Sequence, residues 1–289
     1  MIAITDWRPK IEHRKIENRS PRSLFAQFGN AGPLWYDSRM LWTISDLHLS
    51  SVQPKPMDIF GDRWKNHPQR IAAAWRDRVR EDDVVLIAGD ISWAMKLGDA
   101  LPDLEWIAAL PGRKIMIRGN HDYWCPRGVG PVRRRLPPGI KILSADAAEA
   151  GAAVVCGTRG WVTPETPGFE AATDQVIYER ELGMLDRALV AAQKLAGGMK
   201  PIVVMIHYPP FLDRRPTEFV RRIAAAGAAA CVYGHLHRPQ DWAAATQGLV
   251  DGVYYQLTSC DYLGFGPVAV RGLGREPANE EGSTEVADD

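Results

Sequence analysis

The chain has 289 residues, 46% hydrophobic and 24% charged, the profile of one large soluble globular domain. Lys+Arg and Asp+Glu balance at 35 each, so there is no global field to recruit nucleic acid or an anionic membrane. Four scattered cysteines without a CxxC pair argue against a disulfide framework and fit a reducing cytosol.

The first residues carry charges where a signal peptide needs its apolar core, and no run approaches ~18 uninterrupted apolar residues. The expected location is the cytoplasm, with no membrane partner. Residues 1–39 contain charges, Pro and Gly without a sustained period and read as a loosely ordered extension. Apolar, β-branched runs then alternate with helical patterns. The expected elements are a strand over residues 40–45, a helix over 66–80, strands over 84–88, 114–117 and 153–156, and a helix over 174–195. A strand over 202–206, a helix over 217–226 and strands over 229–233, 253–257 and 268–270 follow. Continuously apolar strands predict sheets covered on both faces. From residue 275 the chain is acidic and poor in apolar residues, which reads as a disordered tail.

Polar residues capable of binding metal cluster where these strands end. The blocks are Asp46-Leu47-His48, Gly89-Asp90, Gly119-Asn120-His121-Asp122, His207 and Gly234-His235-Leu236-His237. At the carboxyl edge of an α/β sheet, loops hold such side chains firmly with their tips accessible. On an extended segment, the Asp-x-His and His-x-His spacings place both side chains on one face. Carboxylate plus imidazole suits Mn, Fe, Zn, Co or Ni, and the absence of Cys argues against a structural zinc. The three glycines are expected to relax the backbone at sharp turns.

The ordered set of five blocks resembles the calcineurin-like metallophosphoesterase superfamily, over residues 40–267. More narrowly, DLHLS, KPMDIFGDRW, GDISWAM, GNHDYW, GTRGW and DYLGFGP look like a bacterial branch of predicted phosphohydrolases. The resemblance implies an α/β fold: a four-layer αββα sandwich of two mixed β-sheets flanked by helices, with a metal site at the C-terminal strand ends. It implies a metallophosphoesterase domain over residues 40–274, between the extension and the tail at 275–289. It also implies two divalent or transition metal ions, of Mn, Fe or Zn type. One takes Asp46, His48 and His237, the other Asn120, His207 and His235, and Asp90 bridges them. The implied reaction is hydrolysis of a phosphate monoester or diester by a metal-activated hydroxide. His121 matches the catalytic histidine. Asp122 is a candidate to orient it, a carboxylate from another loop being the alternative.

The superfamily's eukaryotic-type protein phosphatases carry GDxVDRG and GNHE where this chain has GDISWAM and GNHD. The missing arginine removes a phosphate clamp used on phosphoproteins. Arg159 and Arg118 are the candidates to supply positive charge instead. Trp93, Trp124 and Trp161 each follow a block and are candidates to line the substrate pocket. Trp64, Trp75 and Trp106 read as fillers between helix and sheet, and His13 and His67 as solvent-exposed. A small phosphorylated molecule or nucleotide is the expected substrate. A non-catalytic scaffold is the competing reading, disfavoured by the complete ligand set. A nuclease is the other, disfavoured by zero net charge.

Overall fold

The strand β2 (Val84–Ala88) shows how this sequence builds layers. All five of its side chains are buried. Val84, Leu86 and Ala88 join one apolar cluster, while Val85 and Ile87 join another. A strand with two dry faces needs no polar alternation, which is why the run is continuously apolar. The run Ile202–Ile206 divides in the same way: Val203 and Met205 share the cluster of Val84, and Ile202, Val204 and Ile206 enter a third. Three apolar layers separate four layers of backbone.

A computed structural model describes residues 39–273. The expected extension (apart from Arg39), His13 and the acidic tail lie outside the described residues. The strands β1 (Leu41–Ile44), β2, β3 (Arg113–Ile117) and β4 (Ile140–Ile142) run parallel in the first sheet. The second sheet takes β5 (Ala147–Ala150), β6 (Ala153–Thr158) and β7 (Ile202–Ile206). A small hairpin of β8 (Phe211–Leu212) and β9 (Arg215–Pro216) follows, then β10 (Ala230–Tyr233), β11 (Gly248–Val250) and β12 (Val253–Leu257) return to that sheet. The short β13 (Val268–Ala269) closes the first sheet antiparallel to β1. The orders are β13-β1-β2-β3-β4 and β11-β12-β10-β7-β6-β5, the latter parallel except at its two edges.

Helices α1 (His67–Arg78) and α2 (Leu97–Ala108) cover the outer face of the first sheet through Ile71, Trp75, Leu104 and Ile107. After the short α3 (Gly130–Arg133), α4 (Ala171–Ala196) and α5 (Glu218–Ala225) cover the second through Leu185, Leu189, Phe219 and Ile223. A last short helix, α6 (Pro239–Ala244), follows β10. The architecture is the expected four-layer sandwich of two mixed sheets. Among the described residues, no helix is long and apolar enough to cross a membrane.

Strands β2, β7 and β12 coincide with their predicted ranges. The helix α2 has no counterpart in the sequence reading, because Gly98 and Pro102 punctuate it like a turn. Burial of Ala100, Leu104 and Ile107 on the sheet outweighs those local costs. The edge strands β4, β5 and β11 are three or four residues long and carry too little pattern to register. Trp64 and Trp75 are buried as expected, but so is His67, whose Nδ1 lies 3.2 Å from the carbonyl of Trp64.

Gly157 in β6 is a requirement of sheet packing. A Cβ built there would lie 2.0 Å from the Met205 carbonyl oxygen of β7, so any side chain forces the two central strands apart. The substitution Gly157→Ala is expected to reduce unfolding free energy by about 2–3 kcal/mol or more. Urea unfolding should register this as a lower midpoint at unchanged slope, and an unaltered midpoint would contradict the close approach.

Candidate metal centre

Five parallel strands, β1, β2 and β3 of one sheet and β7 and β10 of the other, end on the same side of the sandwich. Each sequence block sits in the loop just after its strand. Among the described residues, two groups have potential ligand atoms all within 4.8 Å of one another: Asp46, His48 and His237, and Asp90, His207 and His235. Asn120 joins the second group, its Oδ1 lying 2.7 Å from His207 Nε2 and 2.9 Å from His235 Nδ1. Asp90 lies between the groups: its Oδ2 is 3.9 Å from His48 Nε2 and 3.5 Å from His207 Nε2. The His121 ring approaches from the more open side, with Nε2 4.0 Å from Asp90 Oδ2 and about a third of its side chain exposed. The structure thus brings the seven expected ligands and His121 together.

The local backbone differs from the extended geometry that the sequence spacing suggested. Asp46, His48, Asp90 and His235 all have positive φ, at 59°, 47°, 52° and 75°. Each turns the chain abruptly, and it is this kinking that gathers the side chains. Left-handed backbone at four clustered non-glycine residues stores strain, which surrounding contacts must hold. The β1 end is held by hydrogen bonds from Asp46 N to Gly89 O and His48 N to Asp90 O.

The glycines beside these residues serve two different purposes. Gly89 has a φ of 95°, as expected for a sharp turn. Gly119 and Gly234 are required by close approach instead. A Cβ at Gly119 would meet Asp90 Oδ1 at 2.0 Å, and one at Gly234 would meet Asp46 Oδ2 at 2.4 Å.

Charge within the centre is distributed between carboxylates and histidines. Burial would raise the carboxyl of Asp46, but the hydrogen bond and charge of His237, then His207 and His48, hold it well below the usual range. Burial likewise opposes ionisation of Asp90, and the charge and hydrogen bond of His207 prevail. The histidines divide. Burial, aided by the charges of His237 and His207 respectively, pushes His48 down to about 3 and His235 to about 4. Burial is outweighed at His207 by Asp90, which raises it to about 9. It is outweighed at His237 by hydrogen bonds to Asp261 and Asp46, which raise it to about 10.

These features fit divalent cations. Two buried carboxylates face four imidazoles, with the Nε2 atoms of His48 and His237 only 3.4 Å apart. Two of the rings are oriented by their far nitrogens. His207 Nδ1 lies 2.9 Å from the Ala88 carbonyl and His237 Nδ1 3.0 Å from Asp261 Oδ1, so Nε2 of each points inward. Histidine and carboxylate donors of this kind suit Mn, Fe or Zn.

The remaining candidates fall in other places. Asp122 is buried, and its oxygens accept Ile91 N at 2.9 Å, Ser92 N at 3.1 Å, Gly119 N at 2.7 Å and Trp124 Nε1 at 2.9 Å. That set excludes the His121 ring, so Asp122 ties the loops after β2 and β3 together. Burial and the charge of Asp90 push it up to about 6. The carboxylate beside His121 is Asp90, whose Oδ1 accepts His121 N at 2.8 Å. Trp124 is buried and committed to Asp122, so it does not line an open pocket. Trp93 stacks on His48 at 5.0 Å and lies 4.3 Å from His121, and so forms a wall of the centre. Trp161 lies 5.1 Å from Tyr208, which in turn lies 4.4 Å from the ring of His235.

Neither candidate arginine reaches the ligand groups. Arg159 is buried, 3.4 Å from Glu181, and Arg118 donates to the Cys125 carbonyl at 3.1 Å. Together they line a niche of about 10 Å³, room for one water. Asp261 and Trp64 were missed as site residues. Trp64 is buried, with its ring 6.0 Å from that of His48 and 5.6 Å from that of His237. Their only signal in the sequence was membership of KPMDIFGDRW and DYLGFGP.

Several known proteins are similar to this chain. Residues 40–239 match the family model for calcineurin-like phosphoesterases. The gene 66 protein of Mycobacterium phage L5 is 40% identical over 81 residues, 28% of this chain and 39% of that protein. Its counterpart in Mycobacterium phage D29 is 38% identical over 85 residues, 28% and 40% of the two chains. The chain therefore spans about two-fifths of the length of these curated relatives. Among solved structures, the phosphopantetheinyl hydrolase of Mycobacterium tuberculosis is 16% identical with a TM-score of 0.47, covering 84% of this chain and 99% of that one. The AQ665 protein of Aquifex aeolicus is also 16% identical, with a TM-score of 0.42 over 80% and 95%. With well over half its length matched by the family model, this chain belongs to the calcineurin-like phosphoesterase family, whose members are metal-dependent phosphoesterases.

Proposed function

We propose that this chain hydrolyses the phosphate ester of a small molecule or nucleotide at a dinuclear metal centre. The observation that carries the reading is the convergence of seven potential donors: Asp46, His48 and His237 in one group, Asp90, His207 and His235 in the other, with Asn120 against His207 and Asp90 Oδ2 3.9 Å from His48 Nε2. Asp46, His48 and His237 would hold one cation and Asn120, His207 and His235 the other. When bound, such a pair acidifies a water and withdraws charge from the phosphoryl oxygens.

The protein's own groups supply the rest. Asp90 stays ionised under the influence of His207 and presents one oxygen to both donor groups, while its other oxygen anchors the backbone of His121. The packed ring of Trp93 limits where His121 swings. Burial, opposed by Asp90, lowers the pKa of His121, so the neutral ring donating from Nε2 to a phosphoryl oxygen is the form its surroundings favour. Transfer of a proton to the departing alkoxide requires the imidazolium form, which a dianionic phosphoryl group beside the ring would favour. The balance of 35 basic and 35 acidic residues supports a small substrate over a polyanion, and cytoplasmic placement fits the four free cysteines.

A Mn²⁺-supplemented assay comparing p-nitrophenyl phosphate, bis-p-nitrophenyl phosphate and a nucleotide panel tests the function; no turnover on any of them would contradict it. Elemental analysis should find about two metal equivalents per chain after loading, and Asp90→Asn should lose both retention and turnover. Retained metal with full activity would refute the shared ligand. For His121→Ala the expectation is intact metal content with turnover reduced by ~10²-fold or more, and a wild-type rate would remove His121 from the mechanism.

Cation uptake should also be coupled to protons. His207 and His237, raised to about 9 and about 10, are protonated at pH 7 and must lose those protons to bind metal. Affinity should therefore rise with pH up to that range and fall on acidification. Calorimetry in buffers of different ionisation enthalpy should find about two protons released for full loading at pH 7. Proton-independent binding would contradict the assigned charges.

A further inference from the structure

The two histidines whose Nε2 atoms are aimed at the centre from the ends of the neighbouring strands β7 and β10 are oriented by unlike means. His207 Nδ1 is satisfied by a main-chain carbonyl, that of Ala88, which no substitution removes. His237 Nδ1 is satisfied by a side chain, Asp261. That carboxylate is fully buried, and its second oxygen faces Arg63 Nη2 at 3.4 Å. The same guanidinium nitrogen donates to the His237 main-chain carbonyl at 2.5 Å. His237 is therefore held twice, by its ring and by its backbone, through one ion pair.

Both partners reach His237 from distant stretches of chain. Asp261 follows β12, where Ser45 N donates to Thr258 O at 2.8 Å and Cys260 N to Ser45 O at 3.0 Å. This short ladder joins the second sheet to the end of β1 and delivers Asp261 beside His237. Arg63 comes from the segment between β1 and α1, anchored by Trp64, which packs edge-on against Phe265 at 5.3 Å. The two motifs left without a chemical role, KPMDIFGDRW and DYLGFGP, thus meet at one metal-facing histidine. Asp261 also lies beyond the residues matched by the family model, 40–239.

We infer that Asp261 and Arg63 are positioning residues that set the cation affinity of the subsite formed by Asp46, His48 and His237, leaving the subsite of Asn120, His207 and His235 unaffected. The inference rests on the dinuclear reading. The carboxylate keeps Nδ1 protonated and Nε2 directed at the cation, and it increases the basicity of the ring as a donor. Arg63 keeps that carboxylate from rotating and holds the backbone from which the ring projects.

The test is calorimetric titration of the metal-free full chain with Zn²⁺, comparing wild type, Asp261→Asn and Arg63→Gln. In Asp261→Asn, one of two binding events should weaken about 10- to 100-fold while the other stays within about twofold. Arg63→Gln should weaken the same event by less. In long-range ¹H–¹⁵N spectra of the Zn²⁺-loaded wild type, His237 Nδ1 should carry a slowly exchanging proton that loses its protection in Asp261→Asn. A merely structural role would instead weaken both events together and lower the melting temperature of the metal-free protein, and that result overturns the inference. Two unaltered events in Asp261→Asn overturn it as well. A wild type that binds no Zn²⁺ defeats the dinuclear reading itself, whereas two wild-type events with an indifferent Asp261→Asn defeat only the positioning role.

Discussion

Two carboxylates buried at the ends of adjacent strands govern this structure. Asp46 and Asp90 are at most 1% exposed, and ionised groups in such surroundings are costly unless opposite charge or hydrogen bonds compensate them. Neighbouring donors and histidines supply that compensation. Ser45 Oγ and His235 N donate to Asp46, His121 N donates to Asp90, and protonated His207 and His237 lie within 4 Å of one carboxylate or the other. In the proposed dinuclear centre, bound cations would take over the electrostatic role of the charge on these two histidines.

That arrangement demands unusual backbone. The side chains converge because the chain reverses sharply at Asp46, His48, Asp90 and His235, and the strain persists because the sandwich over-determines it. Main-chain bonds cross between the ends of β1, β2 and β12, and Asp122 ties the loops after β2 and β3 with four accepted hydrogen bonds. Gly119 and Gly234 permit backbone to lie directly against the carboxylates. The two sheets serve as a frame that brings five loop tips to one point.

The aromatic residues around the centre divide by depth. Trp64 and Trp93 support His48, and Trp93 also flanks His121, which remains partly exposed and free to meet a substrate. Tyr208 and Trp161 extend the wall on the side of His235. Trp124 belongs to the interior.

The sequence by itself determined the strands β2, β7 and β12, the helices with uninterrupted period, and the polar blocks whose seven candidate donors lie together with His121 in the fold. Local pattern carries that information, since dry strands are continuously apolar and ligand residues must follow them directly. Tertiary structure alone decided the roles of Asp122 and Trp124, because which donors a buried carboxylate meets depends on two loops packing together. It also decided Asp261, which is 24 residues from His237 and reaches it only through the pairing of β12's end with β1. The arginines follow the same rule: Arg159 and Arg118 sit beside blocks in the chain, yet their long side chains turn toward Glu181 and a carbonyl. Adjacency in sequence constrains the backbone, whereas the direction of a side chain is set by what lies across the gap.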